Sequence, residues 1–400
     1  MKGTNSSPPV SRSAPRPAGS EAELAPLLLA GAKAQRGRLL DSLREISSLD
    51  APSGDAAALA PVAELLETWL DGRGGRVSRQ ASAAGPQVEA EFGPPATPGK
   101  GVLVLCHYDT VWPAGTVAQR PFAIEGEAAR GPGVFDMRGG IVATFGALEL
   151  LSEHGALRRA VRVVLTPDEE TGSRASRELI ARRAREAAIA LVPEPAAPGG
   201  ALKTARKGWI AYELGIRGRA AHAGLDPESG VSAIDELVDR LAELRALADP
   251  ATGTTINCGV VHGGSAGNVI AERAEAELDV RVADASEDAR VRAAFAALRA
   301  HRPGAELDVR EIHSRPPLER TAAIAGAAAR ATELGALLGI ELAERSAGGV
   351  SDGNLAAAEG VPVLDGLGPE GGGAHATDEH LSLPSLVERT ALMALLMAEL

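Results

Sequence analysis

The sequence predicts an α/β protein: a mostly parallel sheet with helices on both faces, interrupted by a smaller antiparallel α+β unit. Three observations lead there. At 400 residues the chain exceeds one ordinary core, so two domains are expected. Short runs such as Val102-Leu103-Val104-Leu105 and Val163-Val164-Leu165 are apolar without alternation, as in strands covered on both faces, and helical stretches separate them. From about Lys207 the texture changes to period-two alternation, and it reverts after Pro316-Pro317.

Taken in order, residues 1–20 are rich in Ser, Pro, Gly and Arg and read as a disordered tail. A helical pattern runs from about 21 to 72 and stops at Gly72. Val102–Cys106 is a buried strand. In "DMRGGIVATFGALELLSEHG", Ile141, Val142, Phe145, Leu148 and Leu151 fall at helical spacing and Gly155 is the stop. A strand over 161–166, a helix over 175–188 and a strand over 188–192 follow. "GWIAYELGIRG" alternates as a half-buried strand. "DPESGVSAIDELVDRLAELRAL" reads as a helix capped by Asp226 with Pro227 in its first turn. "TTINCGVVHGG" and "AERAEAELDVRV" are strands, "SEDARVRAAFAALRAH" a helix and "AELDVREIH" a strand. That β-α-β-β-α-β order makes a ferredoxin-like sandwich. A helix over 321–338, a strand over 361–364 and a helix over 384–399 complete the chain. The expected domains are 21–206 with 316–400, and an insert at 207–315.

A formal net charge of -12 argues against nucleic acid and anionic membrane as partners. Cys106 and Cys258 give neither a disulfide framework nor a cysteine-rich metal site, and a reduced cytoplasm is the expectation. Leu27-Leu28-Leu29-Ala30 is a poor signal-peptide core, and no apolar run approaches the roughly 18 residues of a membrane span.

Three adjacent carboxylates, Asp168-Glu169-Glu170, follow the strand 161–166. Like charges at ~4 Å cost about 1 kcal/mol in water and several-fold more in a partly dry cleft. A solvated turn or a bound cation would relieve them. Other polar residues end strands in the same way. His107 and Asp109 follow "GVLVLC" and share a face. Asp136 stands before a helix, where an N-cap is the simpler role. Glu194 ends "ALVPEP", and His375 lies in "GGGAHATDEH", where His380 competes with it. Open α/β sheets bind ligands beyond the carboxyl ends of their strands. Two histidines and three carboxylates suit a metal pair, and one further carboxylate can move a proton.

The motifs "HYDTVWPAG", "GPGVFDMRGG", "PDEETGS", "GRAAHAG", "GNVIAERAEAELDVR", "GGVSDGN" and "GGAHATDEH" together resemble the co-catalytic zinc hydrolases. That family includes glutamate carboxypeptidase (carboxypeptidase G), acetylornithine deacetylase, succinyl-diaminopimelate desuccinylase and aminoacylases. The likeness runs from about residue 35 to the end and is nearest the carboxypeptidase G branch. It implies a zinc-peptidase-like catalytic domain with the insert as lid and dimerisation domain. It also implies two zinc ions, with cobalt or manganese possible at such ligands. His107, Glu170 and Asp136 would hold one ion, and Asp136, Glu194 and His375 the other. Glu169 would be general base, then acid; Asp109 would orient His107. His222, supplied by a partner subunit in dimeric relatives, would stabilise the oxyanion. Asn268 and Arg281 would clamp a substrate carboxylate, the arginine by its planar fork. Gly349 and Asp352 would lie in a substrate-side loop. Arg138 stands where relatives often carry Lys.

The implied reaction is hydrolysis of an amide bond beside a free carboxylate in a small peptide or N-acyl amino acid. A deacylase of N-acyl amino acids is the alternative within the same chemistry, and an amino-acid-binding protein without catalysis the alternative outside it. "GGSAG", Gly263 to Gly267, formally matches a nucleophile elbow around Ser265, but that motif needs a strand-turn-helix setting and "AERAEAELDVRV" reads as a strand.

Overall fold

The computed structural model describes residues 20–97 and 99–400. The expected tail, residues 1–20, lies outside them apart from Ser20. The helical stretch from 21 to 72 is three helices, Glu21–Ala34, Arg36–Ser47 and Ala56–Gly72. The second break contains Pro52 and Gly54, and the Asp55 carboxylate then caps the third helix by accepting from Ala57 and Ala58 at 3.1 and 3.0 Å.

The larger sheet orders its strands Arg76–Ser82, Gly85–Phe92, Val161–Thr166, Gly101–His107, Ala187–Val192, Val363–Asp365, Leu202–Arg206 and Glu344–Ala347. Its centre is parallel: Gly101–His107 pairs with both Val161–Thr166 and Ala187–Val192, and the last of these with Val363–Asp365. The first two strands form an antiparallel hairpin that sequence reading passes over, because "RVSRQAS" is polar and largely exposed. Helices Gly139–Glu153 and Leu383–Glu399 are buried nearly all round and pack the main core.

Parallel register explains why the polar strand ends meet. His107 pairs with Thr166, and Val104 with Leu191, so the segments after His107, Thr166 and Val192 leave the sheet at one level. Glycine lets the long helix approach this end: a Cβ at Gly140 would sit 1.8 Å from the Pro193 carbonyl oxygen, next to Glu194.

A separate antiparallel sheet is built from Gly208–Arg217, Thr255–Gly263, Arg273–Val282 and Glu306–Arg315, with helices Ala233–Arg245 and Ala285–Ala297. The spatial order places Arg273–Val282 beside Gly208–Arg217 and leaves Thr255–Gly263 and Glu306–Arg315 at the edges, the ferredoxin-like arrangement. It has its own core around Ile210, Leu214, Leu237, Leu278 and Phe295. The helix here starts later than expected. Asp226 and Pro227 open a short separate turn, Val231 exchanges backbone hydrogen bonds with Arg219, and Ser232 caps Ala233–Arg245. The peptide groups around Val231 are thus committed to pairing with another strand end. Gly263 to Gly267 joins two antiparallel strands, so Ser265 lacks the turn into a helix that a nucleophile elbow needs. Among the described residues, no helix is long and apolar enough to cross a membrane.

Candidate metal centre

Asp136 is the middle of the site. It follows the left-handed Gly133, in an irregular turn before Gly139–Glu153, and its peptide bond to Met137 is cis. One carboxylate oxygen faces each of two histidines: Oδ1 is 3.2 Å from His107 Nε2 and Oδ2 is 3.4 Å from His375 Nε2. Glu194 Oε1 is 3.5 Å from His107 Nε2, and Glu170 Oε2 is 3.1 Å from His375 Nε2. These separations are longer than the roughly 2.7–2.9 Å of a charge-assisted hydrogen bond. They match the edge of a tetrahedron, about 3.3 Å, drawn around a metal that sits about 2.0–2.1 Å from each N or O ligand. The donor set, imidazole and carboxylate, fits the same ion.

The shortest histidine–glutamate contacts are Glu194 to His107 and Glu170 to His375. His107, Asp136 and Glu170 do offer atoms within 4.8 Å of one another. His107, Glu169 and Glu194 likewise offer atoms within 4.8 Å of one another.

Charges in the cluster are strongly coupled. Burial opposes a charge on His107, but hydrogen bonding to Asp109, Asp136 and Glu194 outweighs it and holds the imidazole pKa well above its ordinary value. Hydrogen bonds to Asp136 and Glu170 raise His375 to about 10. Burial pushes Glu170 up to about 7 despite His375. Burial and repulsion from Asp136 raise Glu194. Burial works to raise Asp136 as well, yet the two histidines keep it well below the usual carboxylate range.

Asp109 joins both halves of the site. Its carbonyl and carboxylate oxygens lie 3.1 and 3.4 Å from His107 Nδ1, leaving Nε2 as the nitrogen turned to Asp136. Its carboxylate also accepts from the backbone N–H groups of Glu169 and Glu170 at 3.1 and 3.2 Å. The three adjacent carboxylates take three directions. Asp168 turns inward to Ser176 and to the Ala175 N–H. Glu170 faces His375, and Glu169 pairs with Arg315.

A cavity of about 310 Å³ opens on this cluster, lined also by Gly172, Trp209, Arg281, Arg315 and Gly349. Arg281 forms a fork with Asp279 at 2.7 and 2.8 Å and lies over the Trp209 ring. His222 and Asn268 do not line the cavity. They sit together, exposed, on neighbouring segments of the antiparallel domain. His222 Nδ1 accepts from the Gly224 and Leu225 N–H groups at 3.1 and 3.2 Å, which leaves the ring proton on Nε2. Asp352 is buried against Thr166 and Ser173. Cys106 is buried in the sheet, and burial raises its thiol to about 12, so it is no nucleophile.

Sequence reading passes over Glu379. This carboxylate, 2% exposed, accepts from the N–H groups of Gly133, Phe135 and Asp136 at 2.8, 3.0 and 3.1 Å and from Trp112 Nε1 at 3.1 Å. It holds the backbone that carries Asp136. His375 itself sits between the short strands Gly371–Gly372 and His380–Ser382 with a left-handed φ of 62°, a conformation a non-glycine residue keeps only when its surroundings impose it. Glu379→Ala would strand four donors in a dry site. It is expected to lower unfolding free energy by about 3 kcal/mol or more, at roughly 1–3 kcal/mol per unpaired buried group, as read from denaturant melts. A loss below about 1 kcal/mol would mean that the loop is held by something else.

The model of peptidase family M20/M25/M40 matches residues 103–399. Carboxypeptidase G2 of Pseudomonas sp. (strain RS-16) is 31% identical over 387 residues, 94% of this chain and 92% of its own. Acetylornithine deacetylase of Proteus mirabilis (strain HI4320) is 30% identical over 261 residues, 61% of this chain and 65% of its own. A dinuclear metal-binding peptidase of family M20 from Bacillus subtilis shares the fold with a TM-score of 0.65 at 17% identity, covering 92% of this chain and 98% of its own.

Proposed function

Since the chain belongs to the M20/M25/M40 peptidases, a family of metal-dependent hydrolases, we propose that it cleaves an amide bond next to a free carboxylate, in the manner of a glutamate carboxypeptidase. One observation carries the reading: Asp136 offers one oxygen to each histidine at tetrahedral-edge distances, while Glu169, beside the cluster, is ion-paired with Arg315.

In this reading His107, Asp136 and Glu194 would hold one zinc ion and His375, Asp136 and Glu170 the other. Bound metal supplies Lewis acidity, lowering the pKa of water and polarising a carbonyl. The protein's own groups do the rest. Glu169 takes the proton of the attacking water at its carboxylate and returns it to the departing nitrogen. Arg281 orients the substrate carboxylate, with Asn268 and the loop at Gly349 beside it. His222 donates from Nε2 to the developing oxyanion. The exposed place of His222 and Asn268 supports their delivery by a second copy of the chain, with residues 207–315 acting as lid and dimerisation unit. Leu225, Val238 and Val261 are 83, 59 and 54% exposed on the loop after His222, the helix Ala233–Arg245 and the edge strand Thr255–Gly263. An apolar open edge of this kind otherwise invites aggregation, and a homodimer covers it. A cytoplasmic setting belongs to the same reading.

The second reading, a deacylase of N-acyl amino acids, is supported by the likeness to acetylornithine deacetylase and uses the same residues. Amino-acid release from a panel of peptidyl and N-acyl amino acids by zinc-loaded protein tests both. The expected result is turnover of substrates with a free carboxylate beside the scissile amide, peptidyl ones fastest, and loss of turnover when that carboxylate is amidated. Fastest turnover of acyl substrates selects the deacylase. No release from any substrate removes the hydrolase reading in favour of an amino-acid-binding protein.

A further inference from the structure

The chain enters the antiparallel domain through Lys207, between Leu202–Arg206 and Gly208–Arg217, and returns at Pro316 after Glu306–Arg315. A buried arginine stands immediately before each crossing. Arg206 pairs bidentately with Asp365 at 2.8 and 2.6 Å and donates to the Gly349 and Val350 carbonyls at 3.2 and 3.1 Å. Arg315, 1% exposed, reaches the catalytic turn. It is ion-paired with the Glu169 carboxylate, donates to the Glu169 carbonyl at 2.9 Å and to Ser173 Oγ at 2.5 Å, and lies 3.4 Å from Asp352 Oδ1. Asn354 ties the crossings together. Its Nδ2 donates to the Lys207 carbonyl at 3.1 Å and to the Pro316 carbonyl at 2.8 Å, while its Oδ1 accepts from Ser351 N at 2.9 Å.

We propose that Arg315 is a positioning residue for hydrolysis: it fixes the Glu169 carboxylate, and Asn354, by pinning the crossing next to Arg315, makes that placement depend on how the antiparallel domain is seated. The inference rests on Glu169 being the proton carrier. Asp109 fixes the Glu169 backbone, but among the described residues the carboxylate's hydrogen-bonding partner is Arg315. The planar fork of arginine grips a carboxylate, a carbonyl and a hydroxyl at once, whereas a lysine ammonium is a single point charge. The metal cluster does not need this arginine, since none of its five side chains is among the groups Arg315 bonds to.

The test is a double-substitution cycle on full-length, metal-replete protein with the best substrate of the panel. It compares kcat, KM and metal content of wild type, Arg315→Lys, Glu169→Gln and the pair. Arg315→Lys is expected to lower kcat about 10²-fold, the cost of a misplacement near 1 Å, with KM and metal content unchanged. In the Glu169→Gln background the same change is expected to alter residual kcat less than about twofold, because no base remains to be placed. Losses that multiply, or a loss confined to KM, overturn the proposal and make Arg315 a substrate contact or a structural residue. Wild-type kcat in Glu169→Gln alone sinks the base assignment instead, a distinct result. Should Arg315→Lys not fold, Asn354→Ala carries the test: a fall in kcat of about tenfold that vanishes with Glu169→Gln is expected, and an unchanged kcat overturns the coupling.

Discussion

Glu169→Gln is expected to fold, bind metal as wild type does, and lose at least about 10³-fold in kcat, toward the upper range of general acid–base catalysis. The amide keeps the shape of the side chain and its contact with Arg315, but it cannot take a proton from water or hand one to the leaving nitrogen. Because the Glu169 carboxylate is engaged by Arg315, metal content should stay at the wild-type value; Glu170→Gln, facing His375 at 3.1 Å, should lower it. The measurement is kcat alongside metal per chain by elemental analysis. Near wild-type turnover in Glu169→Gln, or loss of metal in place of turnover, would reassign the proton transfer.

Asp136→Ala is expected to have the largest effect of any single change at the site. It removes the one carboxylate shared by both histidines, so on the proposed reading both ions would lose a ligand together. Activity should fall at least about 10⁴-fold, since water freed from metal keeps its own pKa of about 15.7. Chelation of wild type should do the same, and zinc should restore it. The pKa directions add a pH dependence. In the metal-free protein His375 titrates near 10 and Glu170 near 7, both raised. At neutral pH His375 is expected to hold a proton, and Glu170 to hold one in about half of the molecules, which an incoming ion must displace. Metal affinity should therefore strengthen from pH 6 to 8 and weaken as pH falls through about 7, by about tenfold per unit for each proton displaced. Affinity that is flat across this range, or activity that survives chelation, would remove the metal from the chemistry.

Much of the fold is written in short-range pattern. The continuous apolar runs of Val102–Cys106 and Val161–Thr166 announce strands covered on both faces, and the alternation of "GWIAYELGIRG" announces a half-buried one. Patterns of this kind depend on neighbours within a few residues, which the sequence carries in full. The polar hairpin Arg76–Ser82 and Gly85–Phe92 has no such pattern on its first strand, and the break at Ser48 to Asp55 is set by contacts made elsewhere. Asp226 had the chemistry of a cap but not the place, because the backbone at Val231 pairs with Arg219.

For the site, residue types at strand ends named His107, Asp136, Glu169, Glu170, Glu194 and His375 as candidates. Which glutamate faces which histidine was settled by side-chain directions at the sheet's end, and that information is spread over segments more than two hundred residues apart. Arg315 and Arg206 gave no local signal, and Glu379 and Asn354, though inside the quoted motifs "GGAHATDEH" and "GGVSDGN", gave none of their role. Each is recognisable only by what it touches: a loop 243 residues away for Glu379, and both domain crossings for Asn354. Sequence alone determined the layers, the inserted domain's strand order along the chain and the chemical inventory of the cleft. Tertiary structure decided which carboxylate faces which histidine and placed the second ring of buried charges, because hydrogen bonds in a dry interior depend on ångström-scale geometry that no local pattern encodes.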